Sequence, residues 1–324
     1  MFEAKHILVA VADPGAKASP AVSRALELAE KTGARVTLFH SLYSPYLAGE
    51  QFYSPLDLQR DVETAVNARK RQLERLARPL AAAGLATHVR VRWDYPVHES
   101  IVRELLREKV DLLVADSHRH GAAARMVLSN TDWQLIRLCP CPLLLVKTTV
   151  RYQRPRVLAS IDPLHAHAKP AALDARLLAT AAAIAATFAG RLHVAHFYML
   201  AMPFATGFMV EPMPLPAEVA EQHSAEVRAA FDALIGRYRL GPRQTHLRTG
   251  LPIDELPDLA QELDAAIVVM GAVSRSGLRR LFIGSTAERV IDRLKCDVLI
   301  VRPEGFKTPV PRRAISRPIV LPPL

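Results

Sequence analysis

The 324-residue sequence predicts an α/β protein made of two repeated doubly wound domains. Each is expected to be a mostly parallel five-stranded sheet with helices on both faces. Three observations carry this. The chain repeats one plan twice, its short apolar runs have the character of strands buried on both faces, and helical stretches alternate with those runs.

The repeat is read first, because a period in the sequence decides the architecture. "HILVAVADP" (His6 to Pro14) returns as "RVLASIDP" (Arg156 to Pro163). "ARVTLFHSLYSP" (Ala34 to Pro45) returns as "GRLHVAHFYML" (Gly190 to Leu200), and "THVRVRWDYP" (Thr87 to Pro96) as "THLRTGLP" (Thr245 to Pro252). "DLLVADSH" (Asp111 to His118) lies over "AIVVMGAV" (Ala266 to Val273), and "CPLLLVK" (Cys141 to Lys147) over "CDVLIVR" (Cys296 to Arg302). The matches keep the same order in both halves, which indicates a duplication.

Each copy therefore reads strand, helix, strand, loop and helix, strand, helix, strand, helix and last strand. The first helix of the first copy is closed by Gly33. In its counterpart, "PAALDARLLATAAAIAATFAG", the residues Leu173, Leu177, Ile184 and Phe188 share one face at helical spacing. Gly190 is expected at the left-handed cap of that helix. The boundary falls near residues 148 to 155, giving domains over 1–150 and 151–304. Residues 305–324 are basic and proline-rich, and read as a tail without a core of its own.

Composition narrows the function. Half of the residues are hydrophobic, enough for two ordinary cores. The formal charge of +10 is dispersed, without the concentrated basic stripe of a nucleic-acid binder, so no nucleic acid is expected as a partner. No apolar run approaches a membrane span, and the N-terminus goes directly into a strand pattern without a secretory signal. Cys139, Cys141 and Cys296 are too few for a disulfide framework, so a cytoplasmic location is expected. The pairs His118/His120 and His165/His167 lack a third ligand nearby in sequence, and no metal site is assigned.

The most informative segment is "MGAVSRSGLRRLFIGST" (Met270 to Thr286). It follows a strand and precedes the helix "STAERVIDRL", where Ser285 and Glu288 have capping-box spacing. A glycine-bearing loop that delivers the chain to a helix N-terminus presents free N–H groups and a favourable dipole to an anion. Gly284 allows close backbone approach, Ser285 and Thr286 add hydroxyl donors, and Arg275, Arg279 and Arg280 add positive charge. If the first and fourth strands are neighbours, Asp162 faces Gly271 at the point where the winding reverses. An acidic group beside an anion cradle suits a ribose hydroxyl, or Mg²⁺ bridging to phosphate. The loop is neither a Walker A motif nor the dinucleotide fingerprint.

On these residues the second copy resembles a universal stress protein domain. That family's ATP-binding signature is Gly, two residues, Gly, nine residues, Gly, then Ser or Thr. Gly271, Gly284 and Ser285 match it, while Ser274 stands where the second glycine belongs. Asp162 matches the family's Asp after the first strand, and Phe197 falls where the family contacts adenine through its backbone. The chain to about residue 302 resembles a tandem of two such domains, and "TDWQLIRLCPCPLLLVK" is similar to the E-type branch. The resemblance implies an adenine nucleotide, ATP with or without Mg, as ligand, and a pseudo-dimer of the halves or a homodimer. In the first copy Asp116, Arg119, Ser129 and Asn130 replace the signature residues, so that half reads as degenerate for ATP although Asp13 is kept.

No serine–histidine pair, paired carboxylates or activated cysteine is placed for turnover. No catalytic residue is assigned, and slow ATP hydrolysis is the most the family resemblance implies. Two other readings stay open. Tyr198 to Pro216 is rich in Met, Phe and Pro and suggests a lid over an apolar or lipid-like ligand. The chain could also act as an interaction scaffold without a ligand.

Overall fold

The computed structural model describes residues 2–43, 55–117, 130–164, 172–206, 209–271 and 285–314. The chain divides into two compact units. The N-terminal unit comprises Ala4–Arg151 with Lys307–Leu324, and the C-terminal unit comprises Tyr152–Phe306 with Met1–Glu3.

In the N-terminal unit the strands are β1 (His6–Ala10), β2 (Arg35–Leu42), β3 (Thr87–Trp93), β4 (Leu112–Asp116) and β5 (Leu143–Val146). The helices are α1 (Pro20–Thr32), α2 (Pro55–Ala82), α3 (Val97–Glu108) and α4 (Asn130–Leu138). The strands lie in the order β3-β2-β1-β4-β5, all parallel. The middle of the sheet is a continuous apolar layer: Ile7, Leu8 and Val9 of β1 are fully buried, as are Leu113 and Val114 of β4. At the outer end, β3 alternates half-buried and exposed residues, which is why "THVRVRW" interleaves arginines with apolar residues.

The C-terminal unit repeats the plan with β6 (Arg156–Ser160), β7 (Arg191–Tyr198), β10 (Thr245–Thr249), β11 (Ile267–Gly271) and β12 (Asp297–Val301). Its helices are α5 (Ala172–Thr187), α6 (Ala217–Ile235), α7 (Pro252–Glu262) and α8 (Ser285–Arg293). The strands lie in the order β10-β7-β6-β11-β12, again parallel. In each unit the winding reverses between the first and fourth strands of the copy. The methionine-rich stretch forms an antiparallel hairpin of its own, β8 (Ala201–Thr206) with β9 (Met209–Pro214).

Local signals account for much of this. Ser19 caps α1 by accepting from Val22 N, Pro20 opens the helix, and Gly33 ends it in the left-handed region at φ 70°. The predicted face of α5 is internal, with Leu173 and Leu177 fully buried and Ile184 and Phe188 nearly so.

The cap of α5 differs from the expectation. The left-handed residue is Ala189, at φ 49°, and not Gly190. Gly190 is needed for space: a Cβ there would lie 2.2 Å from the Pro155 carbonyl oxygen. The glycine serves close passage of two backbone segments, which helix-cap reasoning does not see.

Both termini depart from a simple split at residue 150. Phe2 N donates to Thr187 Oγ1 at 3.0 Å within the C-terminal unit. In the segment after residue 304, Val310 is buried within the N-terminal unit, so the described part of the tail contributes to a core.

Candidate functional site

In the C-terminal unit β7, β6 and β11 are successive neighbours. Val157, Leu158 and Ala159 of β6 pair with Ile267, Val268 and Val269 of β11. Arg156 to Ser160 pair with Arg191 to Ala195 of β7. Asp162 follows two residues after β6, Gly271 is the last residue of β11, and Phe197 lies near the end of β7. The three therefore converge on the carboxyl ends of adjacent strands, where the winding reverses and open α/β sheets take their ligands.

The backbone of Asp162 is held by Asp174 of α5, whose Oδ1 accepts from Asp162 N at 3.2 Å. The Asp162 carboxylate itself has no hydrogen-bond or ion-pair partner among the described residues. It is half-buried and available to a ligand. Phe197 is buried, so its backbone and not its ring is suited to line a crevice. Ser285 and Thr286 open α8, and the first N–H groups of any helix have no partner inside it; the side chains of Ser285 and Thr286 lie outside the described residues. Ser274, Arg275 and Gly284 lie outside the described residues, as do Arg279, Arg280 and the two histidine pairs. Among the described residues, an unengaged carboxylate follows β6 and the neighbouring strand end, Gly271, carries no side chain, which leaves room for a polar ligand.

The N-terminal unit uses the same positions differently. The Asp13 carboxylate accepts from Gly15 N at 2.8 Å, closing a local turn. Asp116, at the end of β4, accepts from Ser19 Oγ at 2.8 Å and from Ala21 N at 2.6 Å. The first turn of α1 is thus occupied by the chain's own anion. In the sequence Asp116 is legible only as a replacement for a signature glycine. The Ser19-Pro20 start of α1 was the available signal for its second role, as a cap supplied from another strand.

A second relationship also went unpredicted. His40 Nδ1 donates to Val11 O at 2.8 Å, and His196 Nδ1 donates to Ile161 O at 3.0 Å. The two histidines occupy the same place in the repeat. Each ties the second strand of its unit to the main chain just before Asp13 or Asp162. Burial lowers the pKa of His40; its bond to Val11 opposes that shift, Arg69 adds to it, and Asp13 opposes it. The alignment of "LFHS" with "VAHF" carried this signal, since histidine recurs at one position of the two strands.

Cys139 and Cys141 are both buried, with their sulfurs 3.7 Å apart. Among the described residues no group of three or more His, Cys, Asp or Glu could hold a metal ion. No described helix is long and apolar enough to cross a membrane.

Comparison with known proteins agrees with the fold. The model of the Universal stress protein family matches residues 3–147 and again 169–302. Universal stress protein E of Photorhabdus laumondii is 27% identical over 311 residues, covering 94% of this chain and 96% of its own. Universal stress protein E of Salmonella typhi is 28% identical over 311 residues, with the same coverage of 94% and 96%. Among solved structures, the functionally unknown protein PA1789 from Pseudomonas aeruginosa PAO1 superposes with a TM-score of 0.71 at 25% identity, covering 93% of both chains.

Proposed function

The chain belongs to the universal stress protein family, and on that footing we propose that it is a cytosolic stress-response protein whose C-terminal unit binds ATP or a related adenine nucleotide. The observation that carries this reading is the juxtaposition of Asp162 and Gly271 at neighbouring strand ends, with the Asp162 carboxylate unengaged among the described residues.

In this reading the phosphates lie against the backbone of Gly271 and Gly284 and the N-terminus of α8. Ser274, Ser285 and Thr286 donate hydroxyl hydrogen bonds, and Arg275 neutralises charge. Asp162 would accept from a ribose hydroxyl or serve as a ligand to Mg²⁺, which would supply charge neutralisation for the phosphates. The backbone near Phe197 reads the adenine edge. The protein's role is to bind and orient; a bound nucleotide would change the shape or charge of the surface offered to a partner.

Calorimetry with Mg-ATP tests the reading. One site per chain is expected. Asp162→Ala should weaken it by about tenfold or more, the effect of losing a hydrogen bond to a charged group. Asp13→Ala should have little effect, because Asp13 closes its own turn. Full affinity in Gly284→Asp, or two equivalent sites per chain, would overturn it.

A further inference from the structure

The N-terminal unit lacks the glycine signature but carries a different concentration of positive charge. An open surface depression of about 540 Å³ is lined by Ala68, Arg71, Gln72, Glu74, Arg75 and Arg78 of α2. This is within the size range of small-molecule sites. Arg71, Arg75 and Arg78 follow at i, i+4 and i+7, so they share one helix face over a run of about 10 Å. All three are exposed, and none makes an ion pair among the described residues. Among the described lining residues Glu74 is the one carboxylate, against three arginines.

One lining residue also approaches the loop after β1. Gln72 Nε2 would lie 3.7 Å from a Cβ at Gly15, beside Asp13. Arg69 Nη1 donates to Gln72 Oε1 at 2.8 Å and orients that amide. The side-chain amide is therefore pre-set, with its NH₂ end toward the β1 loop.

We propose that this face of α2 is a second ligand site, for a small molecule carrying a diphosphate group. Planar guanidinium forks match phosphate oxygens two at a time, and three on one face engage adjacent phosphoryl groups without a glycine loop. The half that lost its glycine signature thereby binds phosphate through side chains where its twin uses backbone. The site is separate from the nucleotide site proposed for the C-terminal unit, and the test keeps the two apart.

The probe is inorganic pyrophosphate, titrated by calorimetry into the full-length chain carrying Gly271→Asp, which closes the C-terminal site. One saturable site is expected to remain. On that background Arg75→Glu should weaken it at least about tenfold, and Arg71→Lys, which keeps the charge and loses the fork, severalfold. Arg243→Glu, an equal charge change on an exposed residue of the other unit, should leave it unchanged. Far-UV circular dichroism should match across the set, since these side chains are exposed. Absence of a saturable site, equal weakening by Arg243→Glu, or full affinity in Arg75→Glu would overturn the proposal.

Discussion

Asp116 Oδ1 accepts a 2.6 Å hydrogen bond from the backbone N–H of Ala21, joining the end of β4 to the first turn of α1 across 95 residues of chain. The same carboxylate takes the hydroxyl of Ser19, the helix cap. Asp116→Ala removes an anion from a helix N-terminus and a partner from its capping serine. We expect a loss of about 1–2 kcal/mol, measured by urea unfolding of the N-terminal unit. Mg-ATP should still titrate to one site per chain in Asp116→Gly, because no glycine stands at positions 119 or 129 and Asn130 replaces the Ser or Thr.

His193 Nδ1 and His246 Nε2 lie 3.1 Å apart, linking β7 to β10. The pKa of His246 is lowered to about 4, by burial first, then by His193 and Arg248, with Glu262 opposing. That of His193 is lowered by burial, Arg156 and Arg191. His246 is therefore neutral in the folded protein at neutral pH and well below, and His193 is shifted in the same direction, while the unfolded chain takes up protons near pH 6.5. The stability this represents is intact above pH 6.5 and lost as pH falls toward 4. Its size is on the order of 2 kcal/mol. Thermal melts at pH 7 and pH 4.5 should differ less in His246→Gln than in the parent; an unchanged difference would refute the assignment.

Arg103 is almost fully buried and binds Asp94 through two 2.8 Å hydrogen bonds, with Glu99 at 3.0 Å. Arg103→Ala strands Asp94 beside the β3–α3 junction. A loss of about 3–5 kcal/mol is expected, as for a broken buried ion pair. Arg107→Ala removes a half-exposed side chain whose buried partner Glu104 keeps Arg92, and should cost less than about 1 kcal/mol. Similar midpoints for the two variants in denaturant would contradict this.

Two helix-end glycines separate strain from space. Gly33→Ala introduces a side chain at φ 70° with nothing within 4 Å, for about 1 kcal/mol. Gly190→Ala drives a Cβ to 2.2 Å from the Pro155 oxygen and should cost about 3 kcal/mol. The ranking of the two in thermal unfolding is the readout, and the reverse order would show that φ governs both.

The parts legible in the sequence were those written locally or twice. Parallel strands were visible as apolar runs, and α1 through Ser19, Pro20 and Gly33 at its ends. Asp162 and Gly271 could be named because duplication exposed the plan and the spacing of the second copy marked a loop. Their adjacency depends on the strand order, and the pairing of β6 with β11 provides it.

The sequence by itself determined the fold class and the asymmetry between the halves, because periodicity, caps and glycine spacing act within a few residues of where they are read. Tertiary structure decided the rest. It put Asp116 on α1, Gly190 against Pro155, His196 on Ile161 and Arg69 on Gln72 beside Gly15. Most of these contacts join elements that are remote in sequence and meet only after the sheet forms. Their partners are chosen by strand order and packing distance, quantities that no local pattern encodes.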